Sequence, residues 1–279
     1  MIDIESGLKR PKIDMHTHVW RMDDPDDVLR SADSLVEASE TLGITESWAS
    51  APFANLKFPT TDDVRAENDA VIAAVKRHPD HIRGMCYVLP SHFGFAQDEI
   101  DRCLDNGCIG IKLYFHYTLS DPVTFPVIEH AIERRIPILM HAGYLTDPKD
   151  LAGQPNVSHG EHFTRASQEY PEAVLIHAHV GGGGEWERTV RTMRDASPNV
   201  YADVSGSNLD DGQVEFAVRE MGASRVLFGT DGTMCGAVGK VLDADITEQE
   251  REMIFWSNAE RILDWGGRKP TVLRGEVVR

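Results

Sequence analysis

A (β/α)8 barrel, eight parallel strands each followed by a helix, is the fold the sequence predicts. Three observations carry that expectation. Short β-branched apolar runs alternate eight times with amphipathic stretches long enough for helices. The length of 279 residues suits one large α/β domain, since single barrels run to ~250 residues before a chain must divide. The GxGxxG turn that would announce a doubly wound open sheet is missing after the first run. With no internal repeat and no linker-like segment, residues 1–279 read as one domain.

Taken in order, strands are expected at 12–19, 45–50, 82–89, 110–115, 136–141, 174–179, 200–204 and 226–229. Helices are expected near 34–42, 61–78, 97–106, 122–134, 160–170, 184–196, 211–221 and 248–265. Thr61, with Asp62 and Asp63 behind it, and Thr247, followed by Glu248 and Glu250, carry the signals of helix starts. Gly43, Gly107 and Gly222 stand where helices should stop. The run from Asp23 to Asp27 reads as a solvated loop, and the glycines from Gly181 to Gly184 as a strand-to-helix connection.

Composition narrows the partners. With 28 Lys and Arg against 45 Asp and Glu, the net charge is −17, which repels nucleic acid and anionic membrane surfaces. A small acidic substrate stays open to it if a local cation overrides the global field. The first ten residues are charged and lack the apolar core of a signal peptide, and no run approaches the ~18 apolar residues of a membrane helix. Cys86, Cys103, Cys108 and Cys235 form no CxxC, so they read as reduced core thiols of a cytoplasmic protein. A homodimer is the default expectation for such a barrel.

A barrel places its chemistry at the C-terminal ends of its strands. Titratable residues fall there. The first strand ends with His16 and His18, which alternation puts on one side. The fifth ends in His141, the sixth carries His177 and His179, and the eighth ends in Asp231. Three imidazoles and a carboxylate suit Zn²⁺, with Mn²⁺ or Fe²⁺ also allowed, and a zinc-bound water loses its proton near pH ~7. His78, His81, His92 and His130 read as structural histidines. Strand alternation turns His177 away from the axis and gives it a packing role.

Six segments in order resemble one family. They are Ile13-Asp14-Met15-His16-Thr17-His18, Gly110-Ile111-Lys112-Leu113, Ile136 through Gly143, His179-Val180-Gly181-Gly182, Leu227-Phe228-Gly229-Thr230-Asp231 and Asn258-Ala259-Glu260-Arg261-Ile262-Leu263. Together they are similar to the amidohydrolase-2 branch of the amidohydrolase superfamily. That branch comprises metal-dependent TIM-barrel hydrolases and decarboxylases related to aminocarboxymuconate-semialdehyde decarboxylase. The resemblance implies that His16, His18, His141 and Asp231 bind one divalent metal, with Asp231 also accepting the proton of the bound water. It implies an acid/base or substrate-polarising role for His179. Lys112 would anchor a substrate carboxylate or neutralise charge near Asp231; carboxylated, it would bridge a second metal, the less favoured arrangement.

Trp20, Arg21 and Tyr144 follow the histidine strands and are candidates for substrate contact, Arg21 through a bidentate grip on a carboxylate. Tyr114 and His116 are further candidates, as is the segment from Ser158 to His162 for a lid or supporting role. The function expected is hydrolysis: metal-bound hydroxide attacks the carbonyl of an amide, ester or lactone in a small carboxylate-bearing molecule. The alternative is non-oxidative decarboxylation of an aromatic or enoic acid at the same site. A Ser nucleophile finds no GxSxG, and retention of every ligand position argues against a mere binding protein.

Overall fold

A computed structural model describes residues 4–21, 26–51, 58–180 and 184–271. Its eight strands are β1 (Lys12–His18), β2 (Ile44–Ser50), β3 (Ile82–Tyr87), β4 (Cys108–Leu113), β5 (Ile138–His141), β6 (Leu175–Ala178), β7 (Val200–Asp203) and β8 (Val226–Leu227). They form one parallel sheet in sequential order. Backbone bonds then bring the two edges together: Met15 N–H donates to Phe228 O at 3.1 Å, and Asp231 N–H to His16 O at 2.7 Å. Eight parallel strands rolled into a barrel with helices between them are the (β/α)8 fold that the alternation predicts.

Two apolar layers hold the barrel. Leu139, Ile176, Ala178, Tyr201 and Leu227 point inward and pack with Ile13, Met15, Trp48 and Met85. Their strand neighbours Ile138, Met140, Leu175, Val200, Ala202 and Val226 point outward to the helices. Each such side chain, fully buried, contributes roughly 1.5–3 kcal/mol. Helix α1 (Ile4–Lys9) precedes the barrel, and α2 (Asp27–Thr41), α3 (Thr61–Arg77), α4 (Phe95–Leu104) and α5 (Phe125–Arg134) follow the first four strands. Next come α6 (Pro148–Gly153), α7 (Gly160–Glu169), α8 (Trp186–Thr192), α9 (Gln213–Met221), α10 (Met234–Asp243), α11 (Glu248–Glu252) and α12 (Asn258–Trp265). Trp256, Ile262 and Leu263 of the C-terminal segment pack into the same inner layer.

Several expectations need correction. Helix α2 begins at Asp27 rather than residue 34, so Asp27 belongs to a helix and not to a solvated loop; Asp23 to Pro25 lie outside the described residues, as do Gly181 to Gly183. The cap of α3 is Thr60, not Thr61: its hydroxyl accepts from Asp63 N–H while the Asp63 carboxylate accepts from Thr60 N–H. The run 248–265 is interrupted by a π-helical turn at Met253–Ser257. Thr247 and Glu250 do form a capping box. Cys86, Cys103 and Cys108 are buried, but Cys235 is exposed and so is not a core thiol. Among the described residues no helix is long and apolar enough to cross a membrane.

Strand β1 contains the irregularity on which the site depends. Its pairing with β2 steps from Asp14↔Ser47 to Thr17↔Ala49, three residues against two. That bulge lets Ile13 and Met15 point inward below it and His16 and His18 point inward above it.

Candidate functional site

The imidazoles of His16 and His18 meet at the C-terminal end of the barrel with ring centroids 5.3 Å apart. Asp231 lies between them: its Oδ1 is 2.8 Å from His18 Nε2 and 3.5 Å from His16 Nε2. His16, His18 and Asp231 each offer one donor atom, all within 4.8 Å of one another, and so form a group able to hold a metal ion. Two imidazole nitrogens and a carboxylate oxygen fit a borderline divalent cation. Burial, aided by the charge of Lys112, presses His18 and His141 down to about 4, which keeps their lone pairs free of protons at neutral pH. Burial opposes ionisation of Asp231, but the His18 hydrogen bond and the neighbouring His16 and His179 outweigh it and hold the carboxyl well below its usual range.

His141 stands outside that trio. Its Nδ1 lies 3.0 Å from His179 Nε2, and its Nε2 lies 2.7 Å from Gln154 Oε1 on the loop after α6. His179 in turn sets Nδ1 3.1 Å from Ser205 Oγ and 3.3 Å from Asp231 Oδ2. His179 therefore links His141 to Asp231. Both His179 and Asp231 adopt left-handed backbone conformations, with φ of 69° and 48°, which non-glycine residues rarely accept. His177 is buried on the opposite side of β6, 4.9 Å from the Phe163 ring of α7, and neither of its ring nitrogens has a partner among the described residues.

Lys112 is fully buried with Nζ 2.8 Å from His16 Nε2. Burial lowers it to about 8 against the opposing pull of Asp231 and Asp203, so it is mainly an ammonium at neutral pH. The other substrate candidates stand further out. The Trp20 ring is half exposed, 6.0 Å from His18. Arg21 is on the rim, paired with Glu67 at 3.4 Å. The Tyr144 ring lies 4.1 Å beneath the Arg188 guanidinium and 5.2 Å from His159, while Tyr114 and Phe115 flank His141 at 6.1 and 5.9 Å. Ser158 is buried, where its hydroxyl accepts from Leu119 N–H.

Three contributors, the buried Asp203 and Asp14 and the half-buried Gln154, have no assigned role in the sequence reading. Asp203 Oδ2 lies 2.9 Å from His16 Nδ1. Asp14 accepts from Thr230 N–H and Oγ1 and from His16 N–H, and burial still lifts it to about 7. Gln154 supports His141. Asp203 ends a predicted strand, the location the barrel argument singles out, so its signal was present. Gln154 had none, because α6 was not predicted.

The amidohydrolase family model matches residues 13–265. The chain belongs to the amidohydrolase-2 family. A comparison with functionally curated proteins gives no match. Among solved structures, this family member is similar to the 2,6-dihydroxybenzoate decarboxylase from Rhizobium, at 17% identity and TM-score 0.70 over 91% of this chain and 98% of that one. It is also similar to a dihydroxybenzoic acid decarboxylase from a Polaromonas species with bound manganese and 2-nitroresorcinol, at 20% identity and TM-score 0.73 over 94% and 99%. A third is the 5-carboxyvanillate decarboxylase from Novosphingobium aromaticivorans, also with manganese, at 17% identity and TM-score 0.70 over 94% and 97%. At these identities the likeness establishes the shared fold.

Proposed function

We propose that the protein is a divalent-metal-dependent decarboxylase that removes carbon dioxide from an aromatic carboxylic acid. This replaces hydrolysis, the first expectation from sequence, with its alternative. The observation that carries it is the buried Lys112 ammonium beside the His16, His18 and Asp231 group. It would give a substrate carboxylate a fixed cation to pair with. The three similar structures named above are decarboxylases of phenolic acids, which supports the same choice.

His16, His18 and Asp231 would hold the ion, with His141 as the fourth donor suggested by the sequence. Mn²⁺ is supported by the similar structures and Zn²⁺ by the nitrogen-rich donor set. When bound, the ion supplies positive charge that draws the acidic substrate in and stabilises negative charge on it. Lys112 is one cation against the carboxylates of Asp203 and Asp231, so a dication turns the local balance from negative to positive. Lys112 then grips the substrate carboxylate in its starting form. As the bond from ring to carboxyl breaks, its electron pair stays on the ring carbon and neutral carbon dioxide leaves. That carbon must gain a proton, and Asp231, ionised in the resting site, would relay it: the carboxylate takes a proton from solvent water, whose hydroxide is left to the released carbon dioxide as bicarbonate, and passes it to the ring carbon from the centre of the cluster, touching His18 and His179. His179 orients Asp231 and polarises the substrate. Trp20, Tyr114 and Phe115 offer apolar faces to the ring.

The test is elemental analysis followed by a panel of hydroxybenzoic acids, esters and lactones. About one equivalent of metal per chain and carbon dioxide release from a phenolic acid are expected, both abolished by a chelator. His16→Ala should lose metal and turnover together, on the order of 1000-fold, the equivalent of several kcal/mol of charge stabilisation. Turnover of a lactone or ester with no carbon dioxide would return the assignment to hydrolysis. A protein that takes up no metal after reconstitution would sink both.

A further inference from the structure

The two nitrogens of His16 face opposite chemistry. Nε2 lies 2.8 Å from Lys112 Nζ, an ammonium that can only donate. Nδ1 lies 2.9 Å from Asp203 Oδ2, a carboxylate that can only accept. Both contacts demand the same tautomer, with the proton on Nδ1 and the lone pair on Nε2. Ser205 Oγ, 3.2 Å from Nδ1, can also accept that proton.

Asp203 is itself held in place. Its other oxygen, Oδ1, accepts from His179 N–H at 3.1 Å and from Ser205 N–H at 2.9 Å. Asp203 and His16 are both fully buried. Gly229 of β8's C-terminal extension makes room for the pair: a Cβ there would lie 2.9 Å from His16 Cβ and 3.2 Å from Asp203 Cγ. No larger residue fits without moving one of them.

We infer that Asp203 is a positioning residue that fixes His16 in the Nδ1–H tautomer and so presents the Nε2 lone pair to the metal. Through its other oxygen it ties the left-handed backbone of His179 to the same carboxylate. The metal-directed part of this inference rests on the metal site described under Proposed function; the tautomer does not. Asparagine at 203 would reverse the pattern. Its single carbonyl oxygen would stay with the two backbone donors, and its amide would then donate to His16 Nδ1. The imidazole proton would move to Nε2 and point at the metal position.

The experiment has two parts. Long-range ¹H–¹⁵N spectra of histidine-labelled, metal-free wild type read the tautomer directly, with His16 assigned by the signal lost in His16→Gln. Nδ1–H at His16 is expected; an Nε2–H tautomer overturns the inference without any Asp203 variant having to fold. Competition with a chelating dye then gives the affinity for Mn²⁺ and Zn²⁺ of wild type and Asp203→Asn. A 10- to 100-fold loss is expected for Asp203→Asn, together with a switch of the His16 signal. Equal affinities for the two proteins overturn the inference. A wild type that binds neither ion but shows Nδ1–H at His16 overturns the metal-site reading and upholds the tautomer assignment.

Discussion

The two sides of the histidine cluster are built on different principles. On the β1, β7 and β8 side, His16 is clamped between a buried carboxylate and a buried ammonium, in a space that Gly229 keeps clear. On the β5 and β6 side the imidazole contacts are looser: His141 leans on the neutral amide of Gln154, and His179 meets the Ser205 hydroxyl and, at 3.3 Å, Asp231, while only its backbone N–H rests on Asp203. Charge-assisted bonds in a buried setting are roughly twice as strong as neutral ones. The first side is thus the more tightly preorganised, whereas the second, which would add only His141 to an ion's donors, keeps more freedom at His179 to act on a substrate.

Breaking the second side at its centre gives the largest effect expected of that comparison. His179→Asn keeps a residue type that tolerates a left-handed φ. It should retain its metal and lose turnover by about 100- to 1000-fold, measured as kcat beside metal content. Loss of the ion instead would show that His179 is a ligand and that the two sides are not distinct.

The same strand sharpens the contrast through His177. Burial lowers its imidazole to about 4 from an ordinary 6.5. Between those values the unfolded chain binds a proton that the folded chain refuses, so stability falls as pH drops through the window. His177→Leu fills the space beside Phe163 and removes that loss, worth up to about 3 kcal/mol at the acid end. Thermal melts from pH 7 to 4 should decline less steeply in the variant. Parallel declines would mean that His177 titrates normally in the fold.

The smallest effect belongs to Gln154→Ala. Removing one neutral hydrogen bond costs roughly 0.5–1.5 kcal/mol, so kcat/KM should fall about 3- to 10-fold with metal content unchanged. A larger drop, or loss of metal, would make the β5 side as tightly preorganised as the β1 side.

The barrel was readable because its strands are β-branched runs bounded by turn residues, and each of the eight predicted strands overlaps an observed one. Helices with weak local signals were not. Residues Met234 to Asp243 contain Gly236 and Gly239, which disfavour a helix in isolation, and α1 and α6 have only six residues each. Of the candidate ligands, His16, His18 and Asp231 were readable and do converge, whereas the groups that support them were not. His16 and His18 were placed on one face by simple alternation, and they do share it. Alternation continued backward would also have put Asp14 inside and Met15 outside. The bulge between Asp14 and Thr17 reverses that, and no residue in the segment announces it. Asp203 carries no assignable role in the sequence because a lone aspartate at a strand end gains meaning only when its partner across the barrel is known.

The left-handed backbones of His179 and Asp231 set stability against service. Each costs about 1–3 kcal/mol that a glycine would not incur, yet glycine has no side chain to contribute. Selection for heat resistance alone would therefore erode the two residues nearest the chemistry first. A thermostabilised descendant of this chain should be screened at positions 179 and 231 before its melting temperature is taken as progress.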